Sequence, residues 1–295
     1  MKQTLVLAPL RLLALLPLSV LYVLSDAVAC LLYHVVRYRR HTVDDNLRRS
    51  LPHLSDSQRR RVARRFYRHL ADVVVETVKL LHISDRQLQR RIEVRNAELI
   101  DQAAAHGQST LLYLGHYANW EWVQAITFHC TLPELRGEVY RPLHDSNFDK
   151  LLLTIRSRFF PNQLIPQARV ARTLLSTHQS GKTFCIGLIS DQRPHIEHPS
   201  HTMQFLSQET GFITGGEEIG NRVGAQFLYI DIEKTRRGHY RLTLQPIEPS
   251  HTQTDYPISE QFMKMLEQSI LRQPELWLWS HKRWLHQQQS STHKP

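Results

Sequence analysis

Apolar positions run almost unbroken from Leu5 to Val36, interrupted by Arg11, Asp26 and His34. A helix needs roughly 20 such residues to cross a bilayer, so the run is long enough. From His41 to Leu81 the pattern becomes helical: Val62, Phe66, Leu70, Val73, Val74, Thr77 and Leu80 recur at intervals of three and four. Ser55 or Asp56 stands where the N-cap of that helix belongs. Ile92 to Val94 then predicts a short strand and Ala97 to Ala105 a helix. Further on, short apolar runs bounded by glycine predict buried strands at Thr110–Leu114, Thr183–Ile189 and Gln226–Ile230, with another at Gly137–Tyr140. Helical patterns lie between them at Trp120–Phe128, Asn147–Phe160 and Ile219–Val223. Arg241–Leu244 suits an outer antiparallel strand and Ser259–Arg272 a closing helix. Short buried strands alternating with helices predict an α/β fold, a central mostly parallel sheet flanked by helices. There is no internal repeat and no clear linker, so residues 37–295 read as one domain with a helical entry at 37–81, behind a hydrophobic segment at 1–36.

Charge sharpens the reading of that first segment. The 295-residue chain carries a net charge of +10, and eleven arginines against three aspartates fall between Arg37 and His69. A cleaved signal peptide is one reading, because Ala27-Val28-Ala29-Cys30 resembles both an Ala-x-Ala site and a poor lipobox. Against it, Asp26 sits beside the cut and Leu31–Val36 continue the apolar run. A buried core helix leaves the arginines unexplained. A membrane-anchoring helix explains both features, since Lys and Arg gather on the cytoplasmic side and meet anionic headgroups. Pro9, Arg11, Pro17 and Asp26 leave open whether it spans or lies in one leaflet. The basic cluster also fits nucleic acid. No recognition module is present, however, and no aromatics are interleaved with the arginines, which favours headgroups and an acidic carrier protein over nucleic acid and leaves a membrane-associated nucleic-acid-binding protein as a distant alternative. Three cysteines, at 30, 130 and 185, form no CxxC motif and no disulfide framework.

The sharpest chemical signal is Gly115-His116-Tyr117-Ala118-Asn119-Trp120-Glu121, at the end of a predicted buried strand. Within one helix, positions 116 and 121 point about 140° apart and cannot meet. They meet if His116 ends the strand and Glu121 opens the next helix, in the strand-end crevice where α/β sheets bind ligands. A carboxylate on one imidazole nitrogen fixes the tautomer and makes the other nitrogen a base for an alcohol. The alternative is a helix-cap histidine with a first-turn glutamate on the macrodipole.

His116 to Glu121 resembles the H-x4-[DE] motif of the lipid A biosynthesis acyltransferases, the late lauroyl and myristoyl transferases of Gram-negative bacteria. Further blocks extend the resemblance over most of the chain. These are Asp45-Asn46-Leu47 to Pro52, Tyr140-Arg141-Pro142-Leu143 with Phe148-Asp149, Ser190-Asp191-Gln192, and Pro274-Glu275-Leu276-Trp277-Leu278-Trp279-Ser280-His281-Lys282-Arg283-Trp284. The resemblance implies a glycerolipid-acyltransferase-like fold and a bacterial inner-membrane enzyme with its catalytic domain on the cytoplasmic side. Its reaction moves a fatty acyl chain from an acyl carrier protein or coenzyme A thioester to a lipid A precursor, with no cofactor. A related O- or N-acyltransferase of another glycolipid, phospholipid or amino-lipid keeps the same base chemistry. By the resemblance, His116 is the general base and Glu121 its orienting partner. Arg141 stabilises an oxyanion or a substrate phosphate, or forms an ordinary ion pair. Asp191 holds the site arginine or an active-site loop, and Asn119 caps the following helix.

Three features depart from the pattern. Leu206-Ser207 replaces a Phe-Gly-like pair, which puts the local turn in question. Gly215-Gly216-Glu217-Glu218-Ile219-Gly220 is unusually charged and is no nucleotide loop, since the chain has neither GxxxxGK[ST] nor GxGxxG. His195, Glu197, His198 and His201 have the residue types of a zinc site, but Pro194 and Pro199 break any regular spacing, so no metal is expected.

Overall fold

Glycine-bounded apolar runs become the inner strands of one sheet in the computed structural model, which describes residues 2–142, 146–157, 163–194, 201–249 and 254–284. Helices α1 (Lys2–Leu15), α2 (Leu18–Cys30, continued by a wider turn at Leu31–Val35), α3 (Arg40–Ser50) and α4 (Asp56–Lys79) come first. The chain then runs α5 (Asp85–Gln89), β1 (Ile92–Arg95), α6 (Glu98–Ala105), β2 (Thr110–Leu114), a 3-10 helix (Trp122–His129), β3 (Leu135–Tyr140), α7 (Ser146–Arg156), β4 (Leu164–Pro166), α8 (Val170–Gln179) and β5 (Phe184–Ile189). After these come β6 (Thr202–Phe205), β7 (Gln208–Gly211), α9 (Gly215–Arg222), β8 (Gln226–Arg236), β9 (His239–Pro246), α10 (Pro257–Arg272) and a short 3-10 turn (Pro274–Leu276).

The main sheet has the order β1-β9-β8-β2-β5-β3-β4. Every pair in it is parallel except β8 with β9. The α/β class with a mostly parallel sheet is therefore observed. All five residues of β2 are buried, as expected for a central strand covered on both faces. The antiparallel strand read at Arg241–Leu244 is not the outer one: β1 lies beyond it, pairing in parallel. The stretch read as a helix at Trp120–Phe128 is a 3-10 helix over Trp122–His129, with Trp122 to Ile126 buried in succession.

Ser55 is the N-cap of α4, in a capping box with Gln58. The Leu206-Ser207 pair forms the β6–β7 turn with φ of 50° and 60°, a left-handed pair that glycine usually supplies. Leu206 is nonetheless buried, and its N–H donates to Glu267 Oε1 at 2.6 Å. The glycines of α9 admit close packing: side chains at Gly216 and Gly220 would strike Tyr113 and Phe227.

Part of the arginine-rich entry is paired. Arg40 meets Asp44, Arg48 and Arg49 meet Asp45, and Arg59 meets Asp56. α2 lies against α4. Ser25 Oγ donates to Asp72 at 2.7 Å, Asp26 accepts from Arg68 at 2.8 Å and Arg237 at 2.9 Å, and Lys79 Nζ donates to the carbonyls of Ala14 and Leu16. The outward face of the same helix exposes Val20, Val23, Leu24, Val28 and Leu31.

Candidate active site

β2 delivers His116 to the carboxyl end of the sheet through Gly115, where an added Cβ would come within 2.8 Å of Leu266 and 3.3 Å of Asp191. Only glycine lets the strand end approach α10 and Asp191 this closely. Asp191 follows β5, the parallel neighbour of β2, so two adjacent strand ends bring the pair together. His116 Nδ1 lies 2.7 Å from Asp191 Oδ1, and the His116 N–H donates to Oδ2 at 2.9 Å. Trp277 Nε1 also donates to Oδ2, at 2.9 Å. Asp191 is 3% exposed. Burial alone would raise its carboxyl, but the imidazole and these three donors hold it down at about 2. An ionised carboxylate only accepts, so Nδ1 carries the proton and Nε2 is left as the basic nitrogen. Nε2 lies 3.3 Å from Gln192 Nε2, and the Trp120 ring stands edge-on to the imidazole at 5.3 Å.

His116 lines a cleft, open to solvent, that it shares with Arg141, Asp149, Gln192, Arg193 and Gly215. Arg141 is exposed there, at the end of β3. Leu143 and the Phe148 side chain of the same sequence block lie outside the described residues, as do His195, Glu197 and His198. His201 packs edge-on to Tyr256 at 4.5 Å. Among the described residues no group of three His, Cys, Asp or Glu side chains is placed to hold a metal.

Glu121, expected at the imidazole, is held elsewhere. Its oxygens accept from Arg156 Nε at 3.0 Å and Nη2 at 2.7 Å. The physical reason is the turn at Ala118 (φ 52°) and the 3-10 helix after it, which carry Glu121 to the α7 side, where it neutralises a largely buried guanidinium. The carboxylate that orients His116 is Asp191, and Asp191 holds the imidazole rather than an arginine. Asn119 stands two residues ahead of the N-cap position, Glu121, and its Oδ1 accepts from the first helical N–H, that of Trp122, at 3.0 Å.

The closing segment completes the site. Tyr117 pairs with Trp277 as an isolated bridge, the Ala118 N–H donates to the Leu276 carbonyl, and the Leu278 N–H donates to the His116 carbonyl. Asn46, in the first sequence block, donates to the carbonyls of Trp279 at 2.8 Å and His281 at 3.0 Å. Arg283 is buried, which lowers it to about 10, and donates to the Gly211 carbonyl.

Sequence reasoning missed the layer beneath the loop. Glu76 on α4 is fully buried and accepts from Asn119 Nδ2 at 2.6 Å, Tyr240 at 2.8 Å and Tyr22 at 2.7 Å. His69 Nε2 lies 3.1 Å from the Ala118 carbonyl, and Lys234 Nζ lies 3.3 Å from its Nδ1. The nearest sequence signal is that Phe66 and Val73 flank His69 with helical spacing, which places it on the inner face of α4. Burial, then Lys234, pushes His69 down to about 3. Unfolded His69 takes a proton below its ordinary 6.5, whereas the folded residue resists it until about 3. Stability therefore falls as pH drops through that window, on the order of a few kcal/mol. A His69→Gln variant, whose amide can donate to Ala118 and accept from Lys234, is expected to melt like the wild type at pH 8 and to show a flatter acid limb. Parallel acid limbs in thermal melts would refute this.

The family described as "Bacterial lipid A biosynthesis acyltransferase" matches residues 2–286 of this chain. The lipid A biosynthesis lauroyltransferase of Escherichia coli (strain K12) is 24% identical over 270 residues, 91% of this chain and 86% of the relative. The lipid A biosynthesis palmitoleoyltransferase of the same organism and a lipid A biosynthesis acyltransferase of Shigella flexneri are each 22% identical over the same shares.

Proposed function

This chain belongs to the bacterial lipid A biosynthesis acyltransferase family, and from that premise we propose how its own residues transfer an acyl chain to a lipid A precursor. The carrying observation is the buried Asp191 on His116 Nδ1, which leaves Nε2 basic beside the cleft. Nε2 takes the proton of an acceptor hydroxyl as its oxygen attacks the thioester carbonyl carbon. The tetrahedral intermediate collapses, the carbon–sulfur bond breaks, and the leaving thiolate recovers the proton from the imidazolium. No acyl-enzyme is needed. Arg141 and Arg193, both lining the cleft, supply positive charge for the oxyanion or for a phosphate of either substrate. Glu121 keeps Arg156 in place and takes no part in the proton transfer. The donor is the thioester of an acyl carrier protein, an acidic partner that a basic surface steers toward the site.

The N-terminal helices form the membrane anchor, on the cytoplasmic side of the inner membrane. The span Leu18–Val35 is apolar enough to cross a bilayer, but the bonds of Ser25 and Asp26 to Asp72, Arg68 and Arg237 tie one face of α2 to the catalytic domain. Crossing would strip those polar groups of their partners. An amphipathic helix lying in one leaflet keeps them, with Val20, Val23 and Val28 in lipid and neighbouring arginines on anionic headgroups.

The test uses full-length protein in anionic vesicles containing lipid A precursor, given an acyl carrier protein thioester. Mass spectrometry should find the precursor heavier by one acyl group, and flotation should keep the protein on vesicles through a high-salt wash. An unchanged precursor, with either this donor or the coenzyme A thioester, would overturn the reading. Release by salt alone would overturn the anchor.

A further inference from the structure

Next to the cleft, between the sheet and the 3-10 helix Trp122–His129, lies a second cavity with about 610 Å³ of space unfilled by atoms, part of it open to solvent. Its position follows from the register of the sheet. Gly187 stands in the middle of β5, between Leu112 of β2 and Glu138 of β3, so the centre of that face carries no side chain. A Cβ at Gly187 would meet nothing closer than 3.8 Å. Trp120, the ring edge-on to the catalytic imidazole, belongs to the lining. From Ile189 to Cys185 the cavity follows β5 for about 13 Å at 3.3 Å per residue, room for an extended hydrocarbon tail.

The walls are mostly apolar, including Leu112, Val123, Ile126 and Ile230. Thr127, Gln124, Arg136, Glu138 and Arg156 are the polar members of the lining, and of these Gln124 is the one whose whole side-chain amide lacks a partner. It is 3% exposed, and both its amide nitrogen and its amide oxygen are buried without a hydrogen-bond partner. From the β3 wall, Glu138 Oε1 is likewise buried without a hydrogen-bond partner; its contact with Arg156 Nε is a 3.4 Å ion pair. A plain hydrocarbon filling this cavity would seal an amide from water and offer it nothing, a loss that buried polar groups do not bear cheaply.

We propose that this cavity receives a fatty acyl chain bearing a hydroxyl group along its length, the hydroxyl pairing with the Gln124 amide. The inference rests on the acyl-transfer reading above and narrows its donor to a hydroxylated acyl thioester. A hydroxyl both donates and accepts, so it can accept from Gln124 Nε2 while donating to Glu138 Oε1. Gln124 stands within the 3-10 helix that begins at Trp122, past the turn at Trp120 whose ring meets the imidazole. The hydroxyl therefore sits in the interior of the chain, away from the thioester.

The experiment measures binding and so does not depend on transfer. Unsubstituted fatty acid and a set of isomers with the hydroxyl moved carbon by carbon are titrated into the full chain in detergent, for the wild type and Gln124→Met. The wild type is expected to bind one mid-chain isomer about tenfold more tightly than the plain acid of equal length, the worth of one buried hydrogen bond. Gln124→Met, nearly the same size and free of the unpaired amide, is expected to melt at or above the wild-type temperature and to bind plain and hydroxylated acids alike. The proposal is overturned if the plain acid binds the wild type as well as every isomer, if no fatty acid binds, or if the preference survives in Gln124→Met. Should the preference appear while no thioester acylates the precursor, the acyl-transfer reading has failed and the binding site stands.

Discussion

Alanine at His116 is expected to lower acyl transfer by about a thousandfold, the middle of the range for losing a positioned general base, with folding and membrane binding unchanged. The more discriminating variant is Asp191→Asn. Asp191 accepts from His116 Nδ1, the His116 N–H and Trp277 Nε1. An asparagine amide turned toward Nδ1 donates to it, which moves the imidazole proton to Nε2 and removes the base. A loss close to that of His116→Ala is therefore expected, as in other His–Asp pairs where the tautomer is reversed. The acidic limb of the pH–rate profile, where protonation silences the base, should vanish with it. Glu121→Gln should lose less and keep that limb, because Glu121 is bonded to Arg156 and not to the imidazole. Rates across pH for the three variants, with circular dichroism to confirm folding, decide the matter. If Glu121→Gln abolished the acidic limb while Asp191→Asn retained it, Glu121 and not Asp191 would be the orienting carboxylate.

That contrast marks where sequence reasoning stopped. Inner strands such as β2 and β5 were legible because a strand covered on both faces must be apolar throughout, and a short apolar run between turn signals reads directly. The α4 cap was legible too, since Ser55 and Gln58 form a local box. His116 could be located, because a histidine just past a buried strand stands in the strand-end crevice. Its partner could not. Asp191 is 75 residues away, and only the parallel pairing of β2 with β5 brings it close, whereas Glu121 was near in sequence and chemically plausible. The edge of the sheet failed for the same kind of reason: β1 pairs with β9 across more than half the chain, and no local pattern encodes which strand lies outside. Asn46, Glu76 and His69 each act on partners in distant segments, so their types gave no hint of their tasks. The closing segment lay between these cases. Its residues were recognisable by resemblance, but that Trp277 bonds Asp191 and its neighbours hold the backbone of the His116 loop is a property of the fold.

Replacing Arg156 by methionine is expected to destabilise the protein by about 3 kcal/mol, the cost of stripping a buried carboxylate of its partner. Arg156 pairs with Glu121 at 2.7 Å and Glu138 at 3.4 Å, with side-chain exposures of 16%, 8% and 20%. It lines both the cleft and the second cavity, so its ion pairs form part of the wall between them. Glu138 is already raised to about 7, by burial against the pull of Arg156 and with a push from Glu121. Without the guanidinium, two carboxylates share a poorly solvated site, and Glu138 loses the pull that opposes its burial. The sign follows: a carboxyl raised above its unfolded value contributes stability at low pH and loses it as pH rises through the folded value. The melting deficit of Arg156→Met should therefore be largest above pH 7 and shrink toward pH 4.5, where Glu138 is protonated. Adding Glu121→Gln and Glu138→Gln to the same chain should restore most of the lost stability, since it removes the uncompensated charges rather than replacing the bond. A deficit independent of pH, or a triple variant no more stable than Arg156→Met, would mean that Arg156 supports the fold through packing of its aliphatic stem and not through these charges.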